Sequence, residues 1–245
     1  MPVETLIGFV AVVALGAYVQ TVTGFAHGLI VMGAITLLDL APIAFSAVIV
    51  SITSLVNIAL ALHRQQHHID WRTTWRACLG VAPALLLGIY LLDYLSSDAT
   101  RALRVILGLF ILAGGTLLML RPHPRQVPAR GWKDFTMGFA GGFFGGLFST
   151  AGPPLVYHLY RQPVTLDVIR TTLLAIFGFT TLLRNAVVLA NGQFEMDMLT
   201  LSLICLPAIY LATVLGQRLP PPLSDTGMRR LAFALLTVLG IPLLF

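Results

Sequence analysis

Charge is what this chain has least of. Only 10% of its 245 residues are charged, 57% are hydrophobic and the mean hydropathy is +0.89. Soluble domains carry roughly 25% charged residues, so a soluble globular fold is excluded and a polytopic membrane protein is indicated. Lysine is confined to Lys133; the other cations are arginines. The net charge of +5 is spread over short loops, so it reports topology and gives no reason to expect nucleic acid. Cysteine is limited to Cys78 and Cys205, each inside an apolar run. They read as small buried hydrophobes and not as a disulfide or metal pair. No GKS or GKT occurs, which excludes a nucleotide-binding loop on this chain. The opening MPVETLIGFV has no basic region and no small-residue cleavage site, so it is read as the first membrane segment.

What the chain has instead is long apolar runs. Runs of about 20 residues span a bilayer as helices, and such spans are predicted at 42–62, 71–92, 99–120, 166–190, 197–217 and 226–244. Two further regions are broken. One is 4–22 followed by 25–39, with Thr21-Val22-Thr23-Gly24 between. The other is 133–150 followed by the short piece 153–161. The second contains GFAGGFFGGLFSTAGPP, Gly138 to Pro154, which is apolar enough for a membrane but stops at Gly152-Pro153-Pro154. Proline lacks the amide proton and clashes with the preceding turn. Irregular backbone at membrane depth is tolerated only where protein or a water-filled cavity covers the freed groups, which points to a binding site in a transporter built from repeats.

The polar connection Arg121 to Lys133 divides the chain in two. Adding 128 to a position takes Gly24 to Gly152, Asp39 to Asp167, Thr53 to Thr181 and Asn57 to Asn185. This ordered set suggests duplication. If the region 133–161 returns to the side it came from, loops 63–76, 121–133, 161–170 and 218–230 share one face, with twelve cations against Arg101 and Arg104 opposite. That arrangement obeys the positive-inside rule; a single crossing leaves no bias. The expected fold is therefore an all-α polytopic membrane protein of two inverted repeats, each a broken or re-entrant helix pair followed by three transmembrane helices. Residues 1–121 form the N-terminal repeat, 122–132 a cytoplasmic linker and 133–245 the C-terminal repeat.

At this point the residues resemble a family. The glycine-rich break from Gly138 to Pro154 looks like the second signature of the TauE/SafE sulfite-exporter family, and GFAHGLIV, Gly24 to Val31, occupies the place of its first. His27 stands there in a stretch where the family tends to have glycine. The turns HIDW (68–71) and GQFE (192–195) resemble the family's short turn after the second span of each half. The resemblance implies an inner-membrane permease for small anions, often sulfite, sulfoacetate or other organosulfur compounds, usually moving them outward.

Three groups of residues are candidates for contact with such an anion. At the second break, Ser149 and Thr150 offer hydroxyls, Gly152 allows close approach, and a half-helix starting at Pro153 would turn its positive end to a ligand. Glycines Gly138, Gly142, Gly145 and Gly146 could equally form a helix–helix seam. At the first break stand Gln20, Thr21, Thr23, Gly24, His27 and Gly28, with His27 as a group that could take up a proton. The third group is Arg184 and Asn185, with Asn57 as repeat partner. An intramembrane cation is a functional hypothesis by default; helix–helix hydrogen bonding is the alternative for the two asparagines. Tyr157 and His158 could line the path or sit at an interface. His63, His67 and His68 read as a solvated basic turn more readily than as metal ligands.

The function expected is secondary transport of a small anion by alternating access, with proton coupling left open and with no cofactor and no catalysis. The partners are that anion and the lipid bilayer, with a homodimer left open. A channel or importer of the same fold is the near alternative; an intramembrane enzyme or metal-centre assembly factor is the distant one.

Overall fold

The computed structural model describes residues 3–63, 65–96, 100–120, 129–219 and 241. Among these it contains nine α-helices, one short 3-10 turn at Gln66–His68 and no strand. The helices are α1 (Val3–Thr23), α2 (His27–Leu37), α3 (Ile43–Leu62), α4 (Trp71–Ser96), α5 (Thr100–Leu120), α6 (Trp132–Phe148), α7 (Gly152–Tyr160), α8 (Leu166–Ala190) and α9 (Met196–Arg218). Of these α1, α3, α4, α8 and α9 are long and apolar enough to cross a bilayer. The span expected at 226–244 lies outside the described residues, apart from Ile241.

Local chemistry sets the helix ends. The Asp70 carboxylate accepts from the amides of Arg72 (3.1 Å) and Thr73 (3.2 Å) and from the Thr73 hydroxyl (2.7 Å), which caps α4. Pro83 lies inside α4 and Pro207 inside α9. Each removes one ladder hydrogen bond, which packed neighbours in a membrane bundle make tolerable.

Both expected breaks are present, and the first is displaced. It falls at Gly24–Ala26 and not at Thr21–Gly24. Thr21 and Thr23 remain helical because their hydroxyls donate back to the carbonyls of Ala17 (2.8 Å) and Val19 (2.7 Å), a bond that suits a helical turn. The chain then turns with Gly24 at φ 82° and Ala26 at φ 83°. At the second break Ser149 takes φ 55°, and the short helix starts at Gly152, one residue before the expected Pro153.

Both short helices fold back on the helix before them. Gly16 of α1 lies against His27 and Val31 of α2; a straight helix would separate Gly16 from Val31 by about 22 Å. Asp134 of α6 meets His158 of α7 at 2.7 Å, and Gly141 and Gly145 of α6 face Leu155 and Ala151. The result is two antiparallel helical hairpins whose tips are the breaks.

The packing around them is cross-wise. α4 lies along α6 and α1 along α9, while α3 and α8 pack on each other between them. Gly138, Gly142 and Gly146 recur every fourth residue on one face of α6. A Cβ at any of them would run into the backbone of α4 at Ala77, Val81 or Leu85, and α4 answers with Gly80 and Gly88. This is small-residue packing of the kind membrane helices use in place of the hydrophobic effect. Gly141 and Gly145 point the other way, Gly141 making room for Leu155 of α7 and Gly145 for Thr180 of α8. The glycine string thus serves a seam on one face and a hairpin on the other. Exposed Trp71, Trp75 and Trp132 ring one end of the bundle; Tyr90 and Tyr94 stand exposed toward the far end of α4. Such aromatics mark the two membrane–water boundaries. Cys78 and Cys205 are free and buried.

Candidate functional site

The two hairpin tips meet. Gly28, next to the first break, packs so closely on the second that a Cβ there would sit 2.8 Å from the Ser149 carbonyl oxygen and 2.9 Å from Thr150 Cβ. Beside this contact is a cavity of about 20 Å³, room for about one water. The first hairpin lines it with Gln20, His27 and Gly28, and the second with Ser149, Thr150 and Gly152. Six of the residues expected at the site are therefore brought to one place: Gln20, His27, Gly28, Ser149, Thr150 and Gly152. All but the half-buried Gly28 are buried.

The central pair α3 and α8 completes the wall with Ser54, Thr180 and Thr181, which the sequence reading did not single out, and with Phe177. The Ser54 hydroxyl donates to Gln20 Oε1 at 3.4 Å. Thr180 and Thr181 donate back to the carbonyls of Ile176 and Phe177, so neither hydroxyl has a proton left for the cavity. A signal for one of them was available, since the offset of 128 pairs Thr53 with Thr181.

His27 is the one titratable side chain among these lining residues. Its Nε2 lies 3.1 Å from Thr53 Oγ1, and the Thr53 hydroxyl proton is directed to the Ile49 carbonyl at 2.8 Å. With its proton so directed, Thr53 accepts from the imidazole in the tautomer protonated on Nε2. Nδ1 rests beside the Gly16 backbone without completing a hydrogen bond. A proton added at Nδ1 would find an acceptor there and place a positive charge in the wall.

The two tips differ in the donors they offer. The first three amides of a helix have no partner inside it. In α2 these belong to His27, Gly28 and Leu29; the first helical bond there is Ile30 N–H to the Ala26 carbonyl at 2.9 Å. In α7 the corresponding residues are Gly152, Pro153 and Pro154. Prolines have no N–H, so only Gly152 keeps a donor. The row of free amides expected at the second break is found at the first. What the second tip adds is the Ser149 hydroxyl, buried and without a hydrogen-bond partner, and the hydroxyl of Thr150.

The other expected residues lie off the cavity wall. Thr21 and Thr23 bond their own helix, and Gly24 packs under Arg170. Pro153 is buried in the first turn of α7. Asn57 Nδ2 donates to the Ala17 carbonyl (3.2 Å), Thr21 Oγ1 (3.0 Å) and Thr213 Oγ1 (2.8 Å), tying α3 to α1 and α9. Asn185 accepts from the Ser51 hydroxyl, tying α8 to α3. Both asparagines make helix–helix bonds. Arg184 is buried, and its Nη1 donates to the carbonyls of Gly145 and Gly146 at the end of α6. His158 is held by Asp134, with Gln162 at 3.3 Å, and Tyr157 accepts from Arg161 at 2.7 Å.

The chain matches the family model described as "Sulfite exporter TauE/SafE" over residues 9–243. It is 39% identical over 239 residues to a protein of Cupriavidus necator named "Probable sulfite/organosulfonate exporter TauE", covering 98% of this chain and 93% of that one. It is 28% identical over 178 residues to the "Probable inner membrane transporter protein TsaS" of Comamonas testosteroni, covering 71% and 72% of the two chains. No solved structure matches it.

Proposed function

Since the chain belongs to the TauE/SafE sulfite exporter family of multi-pass inner-membrane transporters, we propose that it moves a small anion such as sulfite or an organosulfonate out of the cell. The observation that carries this reading is the meeting of two hairpin tips in one buried polar cavity, with the N-terminus of α2 and the Ser149 hydroxyl turned to it. A helix N-terminus carries partial positive charge and free amides, the chemistry that receives an oxyanion. His27, when protonated, adds a full charge and offers a way to couple the anion to a proton.

The cavity holds about one water, and sulfite is larger. The tips must part to admit it. Alternating access supplies that motion if the two halves are inverted repeats that rock against each other. The pairing of helices supports this: exchanging α1–α2–α3–α4 with α6–α7–α8–α9 turns the α1/α9 contact into α6/α4 and the α3/α9 contact into α8/α4. With the arginine-rich loops in the cytoplasm, the first hairpin enters from outside and the second from inside.

The test is thermal stabilisation of the purified protein by a panel of small anions, followed by flux in proteoliposomes. A ligand at 100 times its Kd adds about 2.7 kcal/mol to the folded state. Sulfite or a sulfonate should raise the melting temperature while chloride does not, and flux should saturate. If no sulfur oxyanion stabilises the protein or is carried, the reading is wrong; a steady conductance in planar bilayers would make it a channel.

A further inference from the structure

A helix that breaks inside a membrane turns two opposite ends toward the same place. The end that begins attracts anions; the end that stops leaves bare carbonyls, which attract cations. In many transporters such carbonyl ends hold sodium. The second hairpin has both. α6 stops at Phe148, and its last carbonyls include those of Gly145 and Gly146. These two do not stay bare, because Arg184, one turn beyond Thr180 and Thr181 on α8, donates Nη1 to both. The guanidinium is 1% exposed, with the Asp93 carboxylate of α4 near enough to act on it.

We infer that Arg184 is a positioning residue that sets the sign of the transported ion. Its guanidinium fills the cation seat that the Gly145 and Gly146 carbonyls would otherwise form, which leaves the cavity to anion-accepting groups. This rests on the anion reading of the cavity. It differs from a direct contact with substrate, because Arg184 acts through the α6 carbonyls and is off the cavity wall. The first hairpin is treated alike. There α1 stops at Thr23, and the Thr23 carbonyl accepts the Tyr160 hydroxyl at 2.7 Å. A donor from the second half covers the carbonyl end at each tip: a charged one at the second break, a neutral one at the first.

The experiment is counterflow of radiolabelled sulfite in proteoliposomes, with either sodium or N-methylglucamine as the only monovalent cation. The wild-type protein should transport equally in both, because the seat is filled. Arg184→Met should lose roughly ten- to a hundredfold in N-methylglucamine, the range for removing a charged hydrogen bond, and should recover several-fold in sodium. Arg184→Lys, which still offers a cation to the carbonyls but not the guanidinium's planar fork, should retain more transport than Arg184→Met and show no stimulation by sodium. A folded Arg184→Met that sodium does not restore, or one that transports normally, overturns the assignment. So does sodium stimulation of the wild-type protein, a result that holds even if Arg184→Met fails to fold. Absence of counterflow by the wild-type protein with sulfite and with isethionate would instead bring down the anion reading, and this assignment with it.

Discussion

At the first break the chain turns through Gly24 and Ala26 and opens α2 with three consecutive amides. At the second it turns at Ser149 and opens α7 with a glycine and two prolines. The two tips lie side by side, yet one supplies main-chain donors and a titratable ring while the other supplies hydroxyls. The prolines explain the difference. By removing two N–H groups they lower the cost of leaving a helix end dry, so the second tip is left with the Gly152 amide and the Ser149 and Thr150 hydroxyls to offer. The first keeps its amides and has to be satisfied by something that enters the cavity.

Five substitutions would sharpen or break this contrast. The largest effect is expected from Gly28→Val. Its side chain would press into the Ser149 carbonyl and Thr150; overpacking of this kind costs about 1–3 kcal/mol, and sulfite counterflow should fall by more than about tenfold. Gly152→Ala, at the other tip, comes tightly against the end of the flexible Leu29 side chain at 3.3 Å, which can give by a few tenths of an ångström, and should transport within about twofold of wild type. If Gly152→Ala proves the more damaging, the ranking of the tips is reversed.

Next comes His27→Gln. Protonation of His27 adds positive charge, so the wild-type half-saturation for a sulfonate, whose own charge does not change with pH, should tighten as pH falls. Glutamine can still donate to Thr53 but cannot take the proton, and its profile should be flat. A slope that survives in His27→Gln would remove His27 from coupling. Ser149→Ala should raise KM about two- to tenfold, the loss of one hydrogen bond of about 0.5–1.5 kcal/mol, with kcat little changed. A smaller effect is expected from Pro153→Ala, which returns one amide to the second tip. Affinity should change by no more than about fivefold, since a single added donor is worth about 1 kcal/mol at most in a site that does not depend on it. A large loss would mean that the second tip, and not the first, seats the anion.

Much of this was legible in the residues. The span 166–190 was placed to the residue, and the second break was found because Gly152-Pro153-Pro154 cannot continue a helix. The first break was set about three residues early. Threonines in an apolar run look like an interruption, but Thr21 and Thr23 return their hydroxyls to the preceding turn. Ser54 and Thr180 were passed over because a hydroxyl on a membrane helix looks the same whether it faces a cavity or a neighbour. The partner of Arg184 was hidden for a different reason: its acceptors are backbone carbonyls, and a carbonyl has no letter in the sequence. The donor deficit of α7 could have been read directly, since Pro153 and Pro154 are visible as residues without N–H.

The glycine seam between α4 and α6 has a consequence for how the molecule comes together. Gly80 and Gly88 belong to the segment made before the Arg121–Lys133 connection, and Gly138, Gly142 and Gly146 to the segment made after it. The fit of main chain against main chain is made within α4 and α6. Two polypeptides, severed within that connection and inserted separately, should recognise each other in the bilayer and rebuild a working carrier.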